Sequence, residues 1–389
     1  MNSLNFSEPK EIENHMVFTE KEIWDQPSLW KKVYEQVLNE KESLISFLQV
    51  ATSHQNLHII LTGAGTSAFI GLSLTGSYSR NFKRTSTAIS TTDLVTHPLD
   101  SLNPDVPVLL ISFARSGESP ESVAATRIVD QICSKVYHLI ITCDGSGALA
   151  NYTTDSSKYV LLLPPESNDK GLAMIGSYSG MLLAGLLISR ISEIESLANQ
   201  VGIVCQYGQK LLDHSSQFKE IAEMDFDRVI FLGSGPLFGT ATESHLKVQE
   251  LTDGKIICKK DSFLGFRHGP KAVINKNTLV YLLFSNQCYV ASYEADLIES
   301  LQDGQKPLYI AGLAENDSVS ELVDQTFVLS EEGEQLDEEF LPICFILPAQ
   351  MIGLYKSLQF GLNPDMPSES GAISRVVKGV VIYPYNSEN

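Results

Sequence analysis

The sequence predicts an α/β chain of two doubly wound halves, each a mostly parallel sheet flanked by helices, behind an N-terminal helical segment. Three observations predict it. Short, nearly continuous apolar runs alternate with helical segments along most of the 389 residues, as strands covered on both faces do. A strand–G-x-G–helix unit, "LHIILTGAGTSAFIG" from Leu57, returns as "DRVIFLGSGPLFG" from Asp227. That spacing, about 170 residues, is too long for a solenoid repeat and suits a duplicated domain. The length also exceeds what one small core organises.

Residues 19–51 carry Trp24, Leu29, Trp30, Val33, Val37, Leu44, Ile45 and Leu48 as a broken apolar stripe and read as helix. Strands are expected at 57–63, 86–91, 106–113, 136–143 and 158–164, with helices over 66–79, 119–133 and 171–190. A helical region, 191–222, links the copies. The second copy offers a strand from 227, others at 255–259, 278–285, 307–312 and 326–330, and a helix near 290–301. An apolar helix over 340–360 and the tail "GLNPDMPSESGAISRVVKGVVIYPY" close the chain. The divisions that follow are 1–50, 51–200, 201–360 and 361–389.

Lys and Arg total 28 against 47 Asp and Glu, a net charge of −19. Such an acidic chain is not built as a general nucleic-acid binder, whose footprint would be basic. Backbone amides and hydroxyls still hold phosphate without net positive charge. The six cysteines form no C-x-x-C pair and fall mostly in apolar runs, as buried thiols do. The polar start is unlike a signal peptide, and the apolar stretch 174–188 is too short for a bilayer. A cytoplasmic protein without membrane partners is the expectation.

In doubly wound sheets, ligands sit at the carboxyl ends of the strands near the switch in strand order. Two turns of the first half qualify. One is Gly63-Ala64-Gly65-Thr66-Ser67; the other, in "ISFARSGESPESV", carries Arg115, Ser116, Gly117, Glu118 and Ser119. Hydroxyls and amides at helix starts, with one Arg, suit a phosphate monoester. The first turn lacks the third glycine of a dinucleotide site and the lysine of a P-loop. The other reading makes Ser116 and Ser119 plain helix caps.

The second half replaces the first hydroxyl pair with Pro236 and Leu237 and has no Arg-Ser-Gly, so it is not expected to bind phosphate there. It offers Glu243 and Glu250, seven apart on one helix face with Leu246 and Lys247 between them, and His268 before Gly269-Pro270. A carboxylate and an imidazole suffice for proton transfer beside a sugar carbonyl. The alternative is a solvated face with an i,i+4 pair, Glu243–Lys247, and a satisfied turn histidine. No motif at metal-ligand spacing and no G-x-S-x-G occurs.

"LTGAGTSAFIG", "ISFARSGESPESV" and "ELTDGK…FRHGP" resemble, in order and spacing, the sugar isomerase (SIS) domain family of phosphosugar proteins. "EIWDQPSLW", "DKGLAMIGSYSGM", "DSFLGFRHGPK" and "SRVVKGVVIYP" look like its AgaS group of galactosamine-6-phosphate deaminases and tagatose-6-phosphate ketose/aldose isomerases. The likeness implies two SIS domains. It implies that Gly65, Thr66, Ser67, Arg115, Ser116 and Ser119 hold a sugar phosphate. It implies that Glu250 moves a proton between C1 and C2, with Glu243 as a second carboxylate. His268 would open the ring from a neighbouring subunit, which implies a homodimer. Leu172 and Ala173 would line the pocket, and Arg375 or Lys378 would stand over the substrate. No cofactor is implied.

The chain departs from glucosamine-6-phosphate synthases in lacking their leading glutaminase domain and in a longer stretch between Glu250 and His268. Without an ammonia source, the expected direction is deamination of a 2-amino-2-deoxy-hexose 6-phosphate. The alternatives are isomerisation without ammonia loss, a deglycase of phosphorylated fructosamines, or a sugar-phosphate-binding regulator.

Overall fold

The β-rich runs pair as the alternation predicts. The structure, a computed structural model, describes residues 17–301, 303–317, 323–331, 333–377 and 379–386. The first sheet contains β1 (His58–Thr62), β2 (Thr85–Ala88), β3 (Val108–Ala114), β4 (Val136–Thr142) and β5 (Ser157–Leu162), ordered β2-β1-β3-β4-β5. The second contains β6 (Arg228–Leu232), β7 (Ile257–Asp261), β8 (Thr278–Leu283), β9 (Tyr309–Ala314) and β10 (Gln325–Val328), ordered β10-β9-β8-β6-β7. Read from the opposite edge, the second order repeats the first. All pairings are parallel. Every residue of β3, β4 and β8 is buried, which explains their unbroken apolar sequence.

The N-terminal stripe folds as three helices, α1 (Phe18–Trp24), α2 (Gln26–Asn39) and α3 (Lys41–Thr52), where one was expected. Pro27 in the first turn of α2 explains the first break, because its ring cannot continue α1. In the first half, α4 (Thr66–Phe82), α5 (Thr91–Thr96), α6 (Pro120–Ile132) and α7 (Gly176–Ser189) follow. The link consists of a 3₁₀ stretch, Ile191–Leu197, then α8 (Ala198–Asp213) and α9 (Ser215–Glu223). The second half adds α10 (Leu237–Leu251), α11 (Phe263–Phe266) and α12 (Cys288–Leu301). The closing apolar helix is split into α13 (Leu341–Phe345) and α14 (Leu347–Gln359), with Pro348 in the first turn of α14.

Glu338–Gln359 spans 22 residues and contains an 18-residue window of mean hydropathy 1.4, a longer apolar run than the stretch 174–188. Length and composition alone would let it cross a membrane. It is instead mostly buried as part of the core. One apolar cluster joins Leu109 and Ile111 of the first sheet, Phe231 and Tyr281 of the second, and α7, α8 and α14 between them.

The G-x-G turns are conformationally alike. Gly65 and Gly235 have φ of +55° and +56°, accessible to glycine at little cost. A Cβ on Gly63 would stand 2.5 Å from the Ser67 carbonyl carbon, and one on Gly233 would stand 2.6 Å from the Leu237 oxygen. The helices leaving these turns, α4 and α10, press together at Gly239. A Cβ there would meet Ser73 Oγ at 2.2 Å and the Phe69 carbonyl at 2.7 Å.

In an ordinary helix, Gly→Ala stabilises by roughly 0.5–1 kcal/mol. Gly239→Ala is expected to reverse that sign and destabilise by roughly 1–3 kcal/mol. Urea unfolding of the variant beside wild type measures this directly.

Candidate active site

β1 and β3 are neighbours in the sheet, with Thr62 opposite Ser112. The chain leaves β1 for β2 on one side and returns to β3 on the other, so the switch in strand order falls between them. Both hydroxyl turns open there onto a cavity of about 690 Å³. Gly65, Thr66, Ser67, Arg115, Ser116 and Ser119 all stand on its wall.

Ser119 occupies the N-cap position of α6, yet its side chain makes no capping bond. Its hydroxyl is therefore not committed to the helix end. Ser116 Oγ accepts the Glu118 N–H at 3.3 Å, so the capping reading holds for Ser116 only in this local sense. Ser67 Oγ has a sulfur contact, Met174 Sδ at 3.9 Å. Gly117 takes φ of +68° and lets the second turn fold back.

Arg115 is buried, and burial lowers its guanidinium pKa from the usual arginine range. Nη1 donates to the carbonyls of Leu172 and Gly171 at 3.1 and 3.4 Å, and Nη2 donates to the Arg375 carbonyl at 2.6 Å. Leu172 thus lines the cavity, as expected, whereas Ala173 lies behind it in the apolar core.

The opposite wall comes from α10. Leu246 and Glu250 face the cavity. Behind them, Lys247 is completely buried, with Nζ 2.6 Å from Glu250 Oε2 and 3.2 Å from Glu243 Oε1. Glu243 is equally buried and accepts the Thr66 hydroxyl at 3.2 Å. The solvated i,i+4 pair of the alternative reading is therefore present but sealed from solvent. Burial, countered by Lys247 and reinforced by Glu250, pushes the Glu243 carboxyl up to about 8. Burial opposes the Lys247 ammonium, but the two carboxylates outweigh it and raise its pKa.

The corresponding strand ends of the second half carry acid instead. Ser285, just past β8, gives its N–H to buried Glu294 at 3.2 Å and its hydroxyl to Glu338. Burial pushes Glu294 up to about 8. Carboxyl groups at this position disfavour phosphate.

The tail folds over the cavity, with Gly371 through Val377 on its wall. The Arg375 guanidinium donates through Nε to the Asp169 carbonyl at 3.0 Å and through Nη2 to Asn168 Oδ1 at 2.9 Å. Lys378, the other tail candidate, lies outside the described residues. His268 sits exposed in the turn after α11 and is not on the wall of this cavity. Among the described residues, no three His, Cys, Asp or Glu side chains stand together as metal ligands.

Residues 53–189 match the SIS domain family. The chain is 39% identical over 374 residues to the D-galactosamine-6-phosphate deaminase AgaS of Escherichia coli, spanning 95% of this chain and 96% of that one. The chain belongs to the AgaS family of SIS-domain proteins. A relative from Shewanella sp. (strain ANA-3) with the same name is 37% identical over 377 residues, spanning 95% of this chain and 92% of its own. The crystal structure of tagatose-6-phosphate ketose/aldose isomerase from Escherichia coli has a TM-score of 0.86 at 36% identity, covering 95% of this chain and 98% of that one.

Sequence reasoning read Lys247 only as a solvated partner of Glu243, although its spacing from both glutamates was a usable signal. It also missed Asp169, whose carboxylate takes the N–H groups of Ile175, Gly176 and Ser177 and so delays α7 to Gly176, five residues past the expected start.

The Glu243 pKa sets a pH prediction. Between about 4.5 and about 8, the folded state keeps a proton that the unfolded state has released. Its stabilising contribution is complete below that window and lost as pH rises through it. Wild type should therefore lose up to a few kcal/mol relative to Glu243→Gln from pH 5 to 9 in denaturant titrations. Parallel curves would contradict the assignment.

Proposed function

We propose that the chain converts a 2-amino-2-deoxy-hexose 6-phosphate, D-galactosamine 6-phosphate, with water to D-tagatose 6-phosphate and ammonia. One observation carries this reading: Glu250, held by the Lys247 ammonium at 2.6 Å, shares a cavity with the two hydroxyl turns and Arg115. The names of the AgaS relatives supply the sugar and the ammonia.

Ser67, Ser116, Ser119, Arg115 and the amides around Gly65 and Thr66 anchor the phosphate and fix the far end of the open chain. His268 of a neighbouring copy assists ring opening, which makes a homodimer the working unit. Glu250 takes the C2 proton; the C2–H electron pair becomes the C1–C2 double bond as O1 gains a proton. Glu250 then returns the proton to C1, leaving an imine at C2. Water adds at C2, ammonia leaves, and the ketose remains. The aldehyde acidifies the C2 proton, so the residues act without a cofactor. Glu243 and Lys247 hold the base in place from behind. The reaction belongs among cytoplasmic phosphosugar conversions.

Isomerisation without ammonia loss is the second reading, favoured by the name of the Escherichia coli structural relative. Ammonia release from galactosamine 6-phosphate separates the two. Release should be measurable in wild type and fall on the order of 10²–10⁴-fold in Glu250→Gln. Interconversion of tagatose 6-phosphate with its aldose and no ammonia would overturn deamination, and full activity in Glu250→Gln would remove the assigned base.

A further inference from the structure

Segment 169–172 carries the carbonyls of Gly171 and Leu172 that Arg115 holds, and separate parts of the chain hold it. The Arg375 guanidinium takes the Asp169 carbonyl, and the Asp365 carbonyl accepts the Leu172 N–H at 2.9 Å. On the face toward α1, the N–H groups of Lys170 and Gly171 donate to Glu22 Oε1 at 2.5 and 3.3 Å. On the face toward the cavity, the carbonyls of Gly171 and Leu172 receive Arg115. Glu22 and Arg115 therefore pull on the two ends of Gly171.

The helix carrying Glu22 has its own anchor. The Thr19 N–H and hydroxyl bond Asp365 Oδ1 at 2.7 and 2.9 Å, so α1 stays docked without the glutamate. Gly171 also lies tight against α1: a Cβ there would stand 2.9 Å from Thr19 Oγ1 and 3.3 Å from Glu22 Oε2.

An acid is a costly choice at this position. Glu22 faces two further carboxylates, Asp169 and Asp365, and its buried Oε2 has no hydrogen-bond partner among the described residues. Burial first, then Asp169, push its carboxyl up to about 7. An amide would accept the same two N–H groups without the repulsion.

We infer that Glu22 is a positioning residue for the phosphate end of the substrate: through Lys170 and Gly171 it sets the carbonyls that aim Arg115 into the cavity. The inference rests on the assignment of Arg115 to the phosphate, so the test carries a control for that assignment.

Inorganic phosphate is titrated calorimetrically into wild type, Glu22→Ala, Glu22→Gln and Arg115→Gln, alongside KM and kcat for ammonia release from galactosamine 6-phosphate. Glu22→Ala should weaken phosphate binding and raise KM roughly tenfold, with kcat within about twofold of wild type. Glu22→Gln, which retains an acceptor, should recover most of both. Arg115→Gln should lose phosphate binding. Unchanged phosphate affinity and KM in Glu22→Ala, or a loss confined to kcat or melting temperature, would overturn the proposal while leaving Arg115 in place. Wild-type phosphate binding by Arg115→Gln would overturn the assignment beneath it.

Discussion

The crossing of α4 and α10 at Gly239 is the constraint on which the site depends. Each helix leaves a G-x-G turn at the end of an equivalent strand, one in each sheet. Because Gly239 carries no side chain, α10 approaches within reach of Ser73 and the Phe69 carbonyl. That approach seats Glu243 beside Thr66 and brings Glu250 to the wall opposite the hydroxyl turns. Neither half contains both ends of the cavity, and the seam between them does.

Electrostatics divides the labour between the halves. The first half offers hydroxyls, glycine turns and one buried guanidinium, a set suited to an anion. The equivalent strand ends of the second half are occupied by Glu294 and Glu338. Its chemistry lies on the helix, where a lysine buried between two carboxylates holds the cavity-facing one. Burying Glu243 and Lys247 costs stability unless each is paired, and a proton on Glu243 lowers that cost. A triad that is expensive to bury and correctly paired is a more specific feature than any exposed ion pair.

Much of this was legible in the sequence because it rests on local rules. Apolar strands, glycine turns and the restart at Asp227 reported two sheets of one strand order. Ser67, Arg115 and Ser119, from the paired turns, share one cavity with Glu250. The tertiary parts were not legible. That Glu243 and Lys247 are sealed in follows from the helix crossing, which periodicity does not encode. The hydrogen bonds of Arg375 to Asp169 and Asn168 and the burial of Ala173 depend on how segment 168–175 wraps Asp169. His268 stands exposed and off the cavity wall; the resemblance assigned it to the site only as a residue of a neighbouring subunit.

The central claim is that one substrate spans the seam, with its phosphate on the first half and its reacting carbons at the second. A crystal structure with 2-amino-2-deoxygalactitol 6-phosphate, an open-chain analogue that lacks the aldehyde, tests it most directly. The account predicts the phosphate against Ser67, Arg115 and Ser119, with C1 and C2 about 3–3.5 Å from the Glu250 carboxylate. A phosphate bound beside Glu250, or an analogue seated outside this cavity, would contradict it.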